Sequence, residues 1–143
     1  MKLFQDLWIF LLNVAIVLIV LMFVYWTFEK DPYQITNIAQ PKPVLKSGDR
    51  LEYAREICST KDNIEAYGFI SVMDENNFSW PLYQGLYPPQ TSGCRVIGLS
   101  RFIPSNLPNG HYRYNMVLLY KKNAIRSVKK ILEPVEFEVR NGE

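Results

Sequence analysis

Residues 107–120, LPNGHYRYNMVLLY, decide the fold class of this chain. Large apolar or aromatic side chains occupy every second position from Tyr112 to Tyr120, and polar residues separate the first of them. Because successive side chains of a β strand point to opposite faces, this pattern predicts a strand with one buried face. The Pro and Gly residues of 107–110 are typical of a turn that leads into such a strand.

The same period of two continues on both sides of this stretch, between segments rich in turn residues. Leu51, Tyr53 and Ile57 share one face of an upstream strand, and glutamates occupy the other face. Residues 84–93 hold two Gly and two Pro, which predicts a loop. The predicted strands are 48–60, 66–73, 78–83, 94–103, 112–120 and 125–140, the last interrupted at Glu133-Pro134.

About seven short strands in roughly 95 residues are typical of an immunoglobulin-like antiparallel β-sandwich. The segment from Leu107 to Tyr112 resembles the tyrosine corner of immunoglobulin and fibronectin type III folds, in which the tyrosine opens strand F and its hydroxyl bonds to upstream backbone. We therefore expect residues 48–143 to form such an all-β domain, with Gly110 and Tyr112 at the structural corner. Residues 29–47 are predicted to be a juxtamembrane linker with short edge strands at 35–38 and 44–46.

The segment 7–28, LWIFLLNVAIVLIVLMFVYWTF, predicts a transmembrane helix. At the helical rise it is about 33 Å long, against a hydrocarbon core of roughly 30 Å. Trp8 lies at one end and Tyr25 with Trp26 at the other, where aromatic rings meet the headgroups. A cleaved signal peptide is the alternative, but its apolar region is normally shorter and ends at a small-residue site. We predict residues 1–28 to be the anchor of a single-pass protein that contacts the lipid bilayer through residues 7–28.

The two cysteines, Cys58 and Cys94, predict the compartment. Cys58 lies at the end of the predicted strand 48–60, and Cys94 begins the predicted strand 94–103. These correspond to strands B and E of the expected fold, which are antiparallel neighbours. A disulfide between them would close a loop of about 35 residues and stabilise the domain by roughly 3 kcal/mol. Two free thiols in a reducing compartment are the alternative. The charges flanking the helix are nearly balanced and do not decide its orientation. Because a disulfide requires an oxidising compartment, we predict a cytoplasmic N-terminus and an extracytoplasmic domain.

Several short motifs follow the anchor in order. They are Gly48-Asp49, Cys58, Gly93-Cys94, the proline-containing segment 103–112, and Phe137-Glu138-Val139. This order resembles that of small single-pass membrane proteins encoded by tailed bacteriophages, over about residues 28–139. The resemblance implies a host inner-membrane protein with a periplasmic domain, and it implies no catalytic residues.

The composition argues against several kinds of function. A formal charge of +2 does not indicate nucleic acid as a partner. One His and two Cys leave too few ligands for a zinc or iron site. His111, the one imidazole, is expected on a polar strand face, and no G-x-S-x-G motif accompanies it. We therefore predict a non-enzyme with no cofactor, no metal and no small-molecule substrate.

The aromatic stretch 78–87, FSWPLYQGLY, is the predicted partner-binding surface. Alternation would turn Phe78, Trp80 and Leu82 inward, and leave Tyr83 and a proline-stiffened loop outward. The predicted contact residues are Trp80, Tyr83, Leu86 and Tyr87. The alternative is that Trp80 is a core residue and the other rings cover a sheet edge. A second candidate surface is basic, formed by Lys121, Lys122, Arg126, Lys129 and Lys130, which either meets anionic groups or only keeps an edge soluble.

Together these features predict a membrane-anchored, non-catalytic interaction module in the periplasm. It would bind another envelope or phage protein and so modulate lysis or superinfection. The main alternative is an accessory subunit of a larger membrane complex, held through its helix and Asn13. An envelope hydrolase ranks below both.

Overall fold

The computed structural model describes residues 2–38 and 40–142. The chain divides into two compact units between Asp31 and Pro32. Of the predicted ranges 1–28, 29–47 and 48–143, the residues Met1, Ala39 and Glu143 lie outside the described residues.

The first unit contains the helix α1, Lys2–Phe28. Its segment Phe4–Phe28 is 25 residues long and apolar enough to cross a membrane, and none of its apolar window is buried against protein. A helix that is apolar on all sides and has no protein around it is suited to a lipid environment. The prediction of an N-terminal helix of transmembrane length is confirmed.

The second unit is built from β strands. The strands are β1 Tyr33–Asn37, β2 Val44–Leu45, β3 Arg50–Ser59, β4 Ile64–Asp74, β5 Ser79–Gln90, β6 Gly93–Phe102, β7 Gly110–Lys121, β8 Ser127–Ile131 and β9 Val135–Val139. One sheet has the order β1-β3-β6, and the other has the order β2-β9-β7-β4-β5, with β8 also paired to β7. The pair β2–β9 is parallel, and the other strand pairs are antiparallel. The segment predicted to be a linker therefore supplies an edge strand to each sheet.

One predicted loop is wrong. Residues 84–90 continue β5 as a strand instead of leaving the sheet. β5 is an edge strand that pairs only with β4 within the described sheets. Proline is tolerated on an edge strand or at a bulge, where its missing N–H breaks no ladder. Pro88 and Pro89 lie at such a place, because the β4–β5 register shifts between the pairs Ile64–Gln90 and Ala66–Tyr87.

The two sheets share one buried core. The strand β7 contributes alternate side chains to it, and these five are Tyr112, Tyr114, Met116, Leu118 and Tyr120. The three-stranded sheet contributes Tyr33, Leu51, Tyr53 and Ile57 from β1 and β3. The alternation that the sequence shows in these strands is thus the alternation of buried and solvent-facing positions.

The hydrogen bond expected of a corner tyrosine is present at the start of β7. The Tyr112 hydroxyl donates to the Pro108 carbonyl at 2.9 Å. Its buried ring stacks on Phe137 of β9, with ring centroids 5.6 Å apart. Gly110 is the first residue of β7, and the Tyr112 ring lies beside it. The bond therefore ties the loop before β7 to the packed core.

The disulfide joins Cys58 to Cys94, as predicted. The two residues are directly opposite each other in the antiparallel β3–β6 pair. Cys58 alternates with the buried residues Ile57 and Ser59, so it lies on the outer face of the three-stranded sheet. The bond closes a loop of sequence separation 36, which contains β4 and β5.

Replacing both cysteines by serine should lower the free energy of unfolding by about 3 to 4 kcal/mol, because the open loop gives the unfolded chain more freedom. Denaturant titration of the full chain in micelles, followed by circular dichroism, measures this change. Adding reductant to the unmodified chain should reproduce it. Alkylation of both cysteines in denatured, unreduced protein would contradict the disulfide.

Candidate interaction surface

The strand β5 carries the four residues predicted to bind a partner, and a β-bulge sets the faces on which they lie. The β4–β5 register passes from Ser71 opposite Pro81 to Ile70 opposite Tyr83, so Leu82 is an extra residue on β5. One extra residue reverses the face of every side chain that follows it. The alternation of inner and outer side chains before Leu82 therefore changes phase after it, and the faces of the later residues cannot be counted from the start of the strand.

The bulge brings two of the predicted contact residues, Trp80 and Tyr87, to the core face of β5. Trp80 lies opposite Val72 and is half-buried, and its ring packs edge-to-face on Tyr112 with centroids 5.9 Å apart. Tyr87 lies opposite the buried Ala66 and is half-buried as well. The expectation that Tyr87 points outward is wrong, because the bulge turns it toward the core.

The remaining members of the aromatic stretch differ in exposure. Tyr83 is exposed at the sheet edge, where its hydroxyl donates to the Leu86 carbonyl at 3.0 Å. Leu86 lies on the outer face and is 68% exposed. Phe78 was expected to pack inward, but it precedes β5 and is exposed. Of the four predicted contact residues, Leu86 is the one whose register position faces outward.

Leu86 belongs to a larger surface that the sequence analysis missed. Apolar side chains from four neighbouring strands lie side by side on the outer face of the six-stranded sheet. We call this surface the outer apolar face, and its members are Tyr67, Phe69, Leu86, Val117, Leu119 and Ile131. The register makes them contiguous, since Tyr67 pairs with both Leu86 and Leu119, Phe69 with Val117, and Val117 with Ile131.

The outer apolar face is exposed at both ends and organised in the middle. Ile131 on β8 is 71% exposed, and Leu86 on β5 has a similar exposure. Between them the rings of Tyr67 and Phe69 contact each other edge-on, with centroids 5.1 Å apart. A shallow groove of about 610 Å³ runs along Tyr67, Leu86 and Leu119. An apolar centre of this kind is typical of protein contact surfaces.

Polar residues surround the outer apolar face. Lys129 lies opposite Leu119, and Gln84 lies opposite Phe69. Toward β9 the same sheet face is polar, and there His111 is exposed opposite Glu138. An apolar centre with a polar rim distinguishes a contact patch from a buried sheet face.

The predicted basic surface is not a single patch. Lys122 is buried, and Lys130 is half-buried and donates a hydrogen bond to the Tyr33 carbonyl. Lys129 is exposed on the outer face, on the opposite side of β8 from Lys130. The side chains of this cluster are therefore spread over both faces of the sheet.

Arg55 is a buried charge that the sequence analysis missed. It is 1% exposed, on the core face of β3 between Tyr53 and Ile57. One guanidinium nitrogen lies 3.0 Å from the Met116 sulfur, and another donates to the Glu133 carbonyl at 3.3 Å. Its Nε has no hydrogen-bond partner among the described residues. The alternation of apolar residues in β3 places Arg55 on the inner face, so this pattern could have identified it as a buried residue.

The surroundings of Arg55 are aromatic. Its guanidinium lies 5.0 Å from the Tyr53 ring centre. The hydroxyls of Tyr53 and Tyr114 are buried, and the two rings lie with their centroids 5.2 Å apart. Burial lowers the pKa of Arg55 below its usual value, but a guanidinium keeps its proton at physiological pH. The core therefore contains a cation without a carboxylate at ion-pair distance in the described part of the chain.

Replacing Arg55 by Met should raise the midpoint of thermal unfolding by about 4 °C or more. An apolar side chain of similar length removes an uncompensated charge, and a gain of about 1 kcal/mol corresponds to roughly 4 to 8 °C in a domain of this size. Circular dichroism of the full chain in micelles measures the midpoint. Arg50→Met, on the exposed face of the same strand, is the matched control and should change it little. A lower midpoint for the Arg55 variant would show that its hydrogen bonds outweigh the cost of burial.

Some titratable side chains in the described part of the chain are paired with one another at the surface. No group of three or more His, Cys, Asp or Glu side chains is placed there to hold a metal ion. Glu136 accepts a hydrogen bond from Lys42, which lowers the pKa of its carboxyl group. Glu138 is paired with Arg140 in the same way. These carboxylates form ion pairs on the surface.

The chain matches no protein-family model and no curated protein. It is similar in fold to a family 123 glycoside hydrolase from Clostridium perfringens, at 11% identity and TM-score 0.49 over 76% of this chain and 27% of the hydrolase. It is also similar to the C-terminal domain of wzt, at 13% identity and TM-score 0.47 over 78% of this chain and 72% of that domain. A third similar structure is the alkylpurine DNA glycosylase AlkC from Pseudomonas fluorescens, at 14% identity and TM-score 0.48 over 79% of this chain and 32% of the glycosylase. The chain spans about a third or less of the hydrolase and the glycosylase, and no function follows from these likenesses.

Proposed function

We propose that this chain is a membrane-tethered, non-catalytic interaction module. Helix α1 anchors it in a host inner membrane with the N-terminus in the cytoplasm. The β unit lies in the periplasm and binds another envelope or phage-encoded protein through the outer apolar face. The phage resemblance suggests modulation of lysis or superinfection as the setting.

The β unit is proposed to be an immunoglobulin-like sandwich. The order β1-β3-β6 corresponds to strands A, B and E, and β9-β7-β4-β5 corresponds to G, F, C and C′. Tyr112 then opens strand F, where a corner tyrosine belongs, and its hydroxyl bonds to backbone four residues upstream. In folds of this kind one sheet face is free to bind partners, because the other face is used for the core.

The observation that carries the proposal is the outer apolar face. Leu86, Leu119 and Ile131 are exposed together on one side of a sheet whose opposite side is already packed. Contiguous apolar surface on a water-exposed domain marks a contact site, because leaving it in water is unfavourable. The disulfide supports the extracytoplasmic location, since such bonds persist in oxidising compartments.

The triple variant Leu86→Ser, Leu119→Ser, Ile131→Ser should weaken partner binding at least about tenfold, which corresponds to a loss of 1.4 kcal/mol or more. Its thermal midpoint should stay within a few degrees, because these side chains are exposed. The partner is first identified with a photoreactive amino acid at position 86 in living cells, followed by mass spectrometry of the adduct. Affinity for that partner is then measured with purified full-length protein.

Two controls sharpen this experiment. Val96 and Phe102, exposed on the three-stranded sheet, supply a matched serine variant that should bind normally. An unrelated anchor in place of residues 7–28 should leave binding intact. Loss of binding with the exchanged anchor would favour the accessory-subunit alternative, and unfolding of the triple variant would show that the face is structural.

A further inference from the structure

A cavity of about 450 Å³ lies between the two sheets, on the side where β5 and β6 form their edges. Its walls are mainly aliphatic, and they include Ile35, Ile57, Ile97, Leu99, Leu118 and Leu132. Both sheets contribute, so the cavity lies between them, and it is open to solvent beside the exposed residues Arg95 and Arg101. Its volume falls within the range of about 300 to 1,000 Å³ that is typical of small-molecule sites.

The charged groups of the cavity are all cationic. Arg55, Arg95 and Arg101 line it, and no Asp or Glu is among its lining residues. Arg95 lies opposite Ile57 and Arg101 opposite Leu51 in the β3–β6 register, so both side chains start from the inner face of β6. Both are exposed, whereas Arg55 is buried. Two of the three positive charges therefore lie at the solvent-exposed edge strand, and the third lies in the interior.

Two of these arginines already contact polar groups at the mouth. Arg95 donates a hydrogen bond to the Gln90 side chain. Arg101 lies near Tyr87, whose hydroxyl pKa it lowers although burial raises it more. A Cβ at position 68 would approach the Tyr87 ring to 2.7 Å, so Gly68 allows this ring to lie against β4. The cavity wall at Tyr87 therefore depends on a glycine.

The interior end has no anion at ion-pair distance among the described residues, although Arg55 donates a hydrogen bond to the Glu133 carbonyl. Arg55 keeps its charge while its Nε has no partner among the described residues. A buried cation without an anion is unfavourable, and it becomes favourable when an anion with good hydrogen-bond geometry enters the same low-dielectric site. Apolar walls require the rest of that ligand to be apolar.

We infer that this cavity binds an amphipathic anion, an unbranched apolar chain that ends in a carboxylate or phosphate. The anionic group pairs with Arg55, and the chain packs on the aliphatic walls. Arg95 and Arg101 at the exposed edge attract the anion during entry. This site is separate from the outer apolar face and does not depend on the proposed partner.

The test uses the full chain in nanodiscs of zwitterionic phosphatidylcholine. Four photoreactive diazirine probes are added in turn. They share the same single alkyl chain and differ in the headgroup, which is a carboxylate, a phosphate, an alcohol or a trimethylammonium group. Peptide mass spectrometry then counts adducts on residues 84–101, relative to adducts on α1. This ratio corrects for probe that merely dissolves in the bilayer, because α1 samples the same probe concentration.

The labelling ratio should be at least about tenfold higher for an anionic probe than for the alcohol or the cation. This is the loss of affinity expected when a ligand cannot form a charge-assisted hydrogen bond. Preference for the carboxylate points to a free fatty acid, and preference for the phosphate points to a single-chain lipid phosphate. Arg55→Met should remove the preference, and Arg55→Lys should keep part of it. Arg101→Gln, at an exposed position, should reduce it several-fold without affecting folding, and Arg113→Gln should not reduce it.

Equal ratios for all four headgroups would overturn the inference. It would also be overturned by labelling that is confined to α1, or by a preference that survives in Arg55→Met.

Discussion

The strand β7 is hydrogen-bonded along both of its edges, and the rest of the β unit depends on this pairing. β4 covers one edge, while β9 and then β8 cover the other. The alternation of β7 fixes what each side of the sheet presents. Tyr114 and Met116 pack inward around Arg55, while Val117 and Leu119 face outward in the outer apolar face. The corner bond from Tyr112 holds the start of this strand against the core.

The core formed by β7 is not uniformly apolar, and this has a consequence for function. Three tyrosines and a methionine surround the guanidinium of Arg55. A close-packed aliphatic core would be more stable, because it avoids the cost of desolvating a charge. Residues that reduce stability are expected where binding requires them. The outer apolar face is a similar case. Its exposed Leu and Ile side chains contribute little to folding, so stability does not explain them.

Local alternation in the sequence predicted much of this fold. β3 and β7 each carry a regular period of two. The inner residues of β7 were predicted one by one, and so were the apolar inner residues of β3, but Arg55 was not. The register of Cys58 and Cys94 followed from the order of the strands. β5 was predicted poorly because a bulge at Leu82 reverses its faces, and a bulge depends on tertiary pairing that a single strand does not reveal.

The candidate sites were harder to predict than the strands, for two physical reasons. Arg55 occupied an inner position in the pattern, but charged residues are rarely buried, so the pattern alone did not identify it. The outer apolar face combines residues from β4, β5, β7 and β8, which are far apart in the sequence. Such a surface appears only when the strand order and register are known.

The proposed role in the envelope requires that the disulfide-bonded β unit lie outside the cytoplasm, tethered by α1. Alkaline phosphatase fused to the C-terminus measures this directly, because the enzyme is active only where its own disulfides form. We expect the fusion of the unmodified chain to be active. We expect low activity when several lysines are inserted directly after residue 28, because they should invert the orientation of the helix. An inactive fusion of the unmodified chain would contradict the extracytoplasmic location and, with it, the proposed role in the envelope.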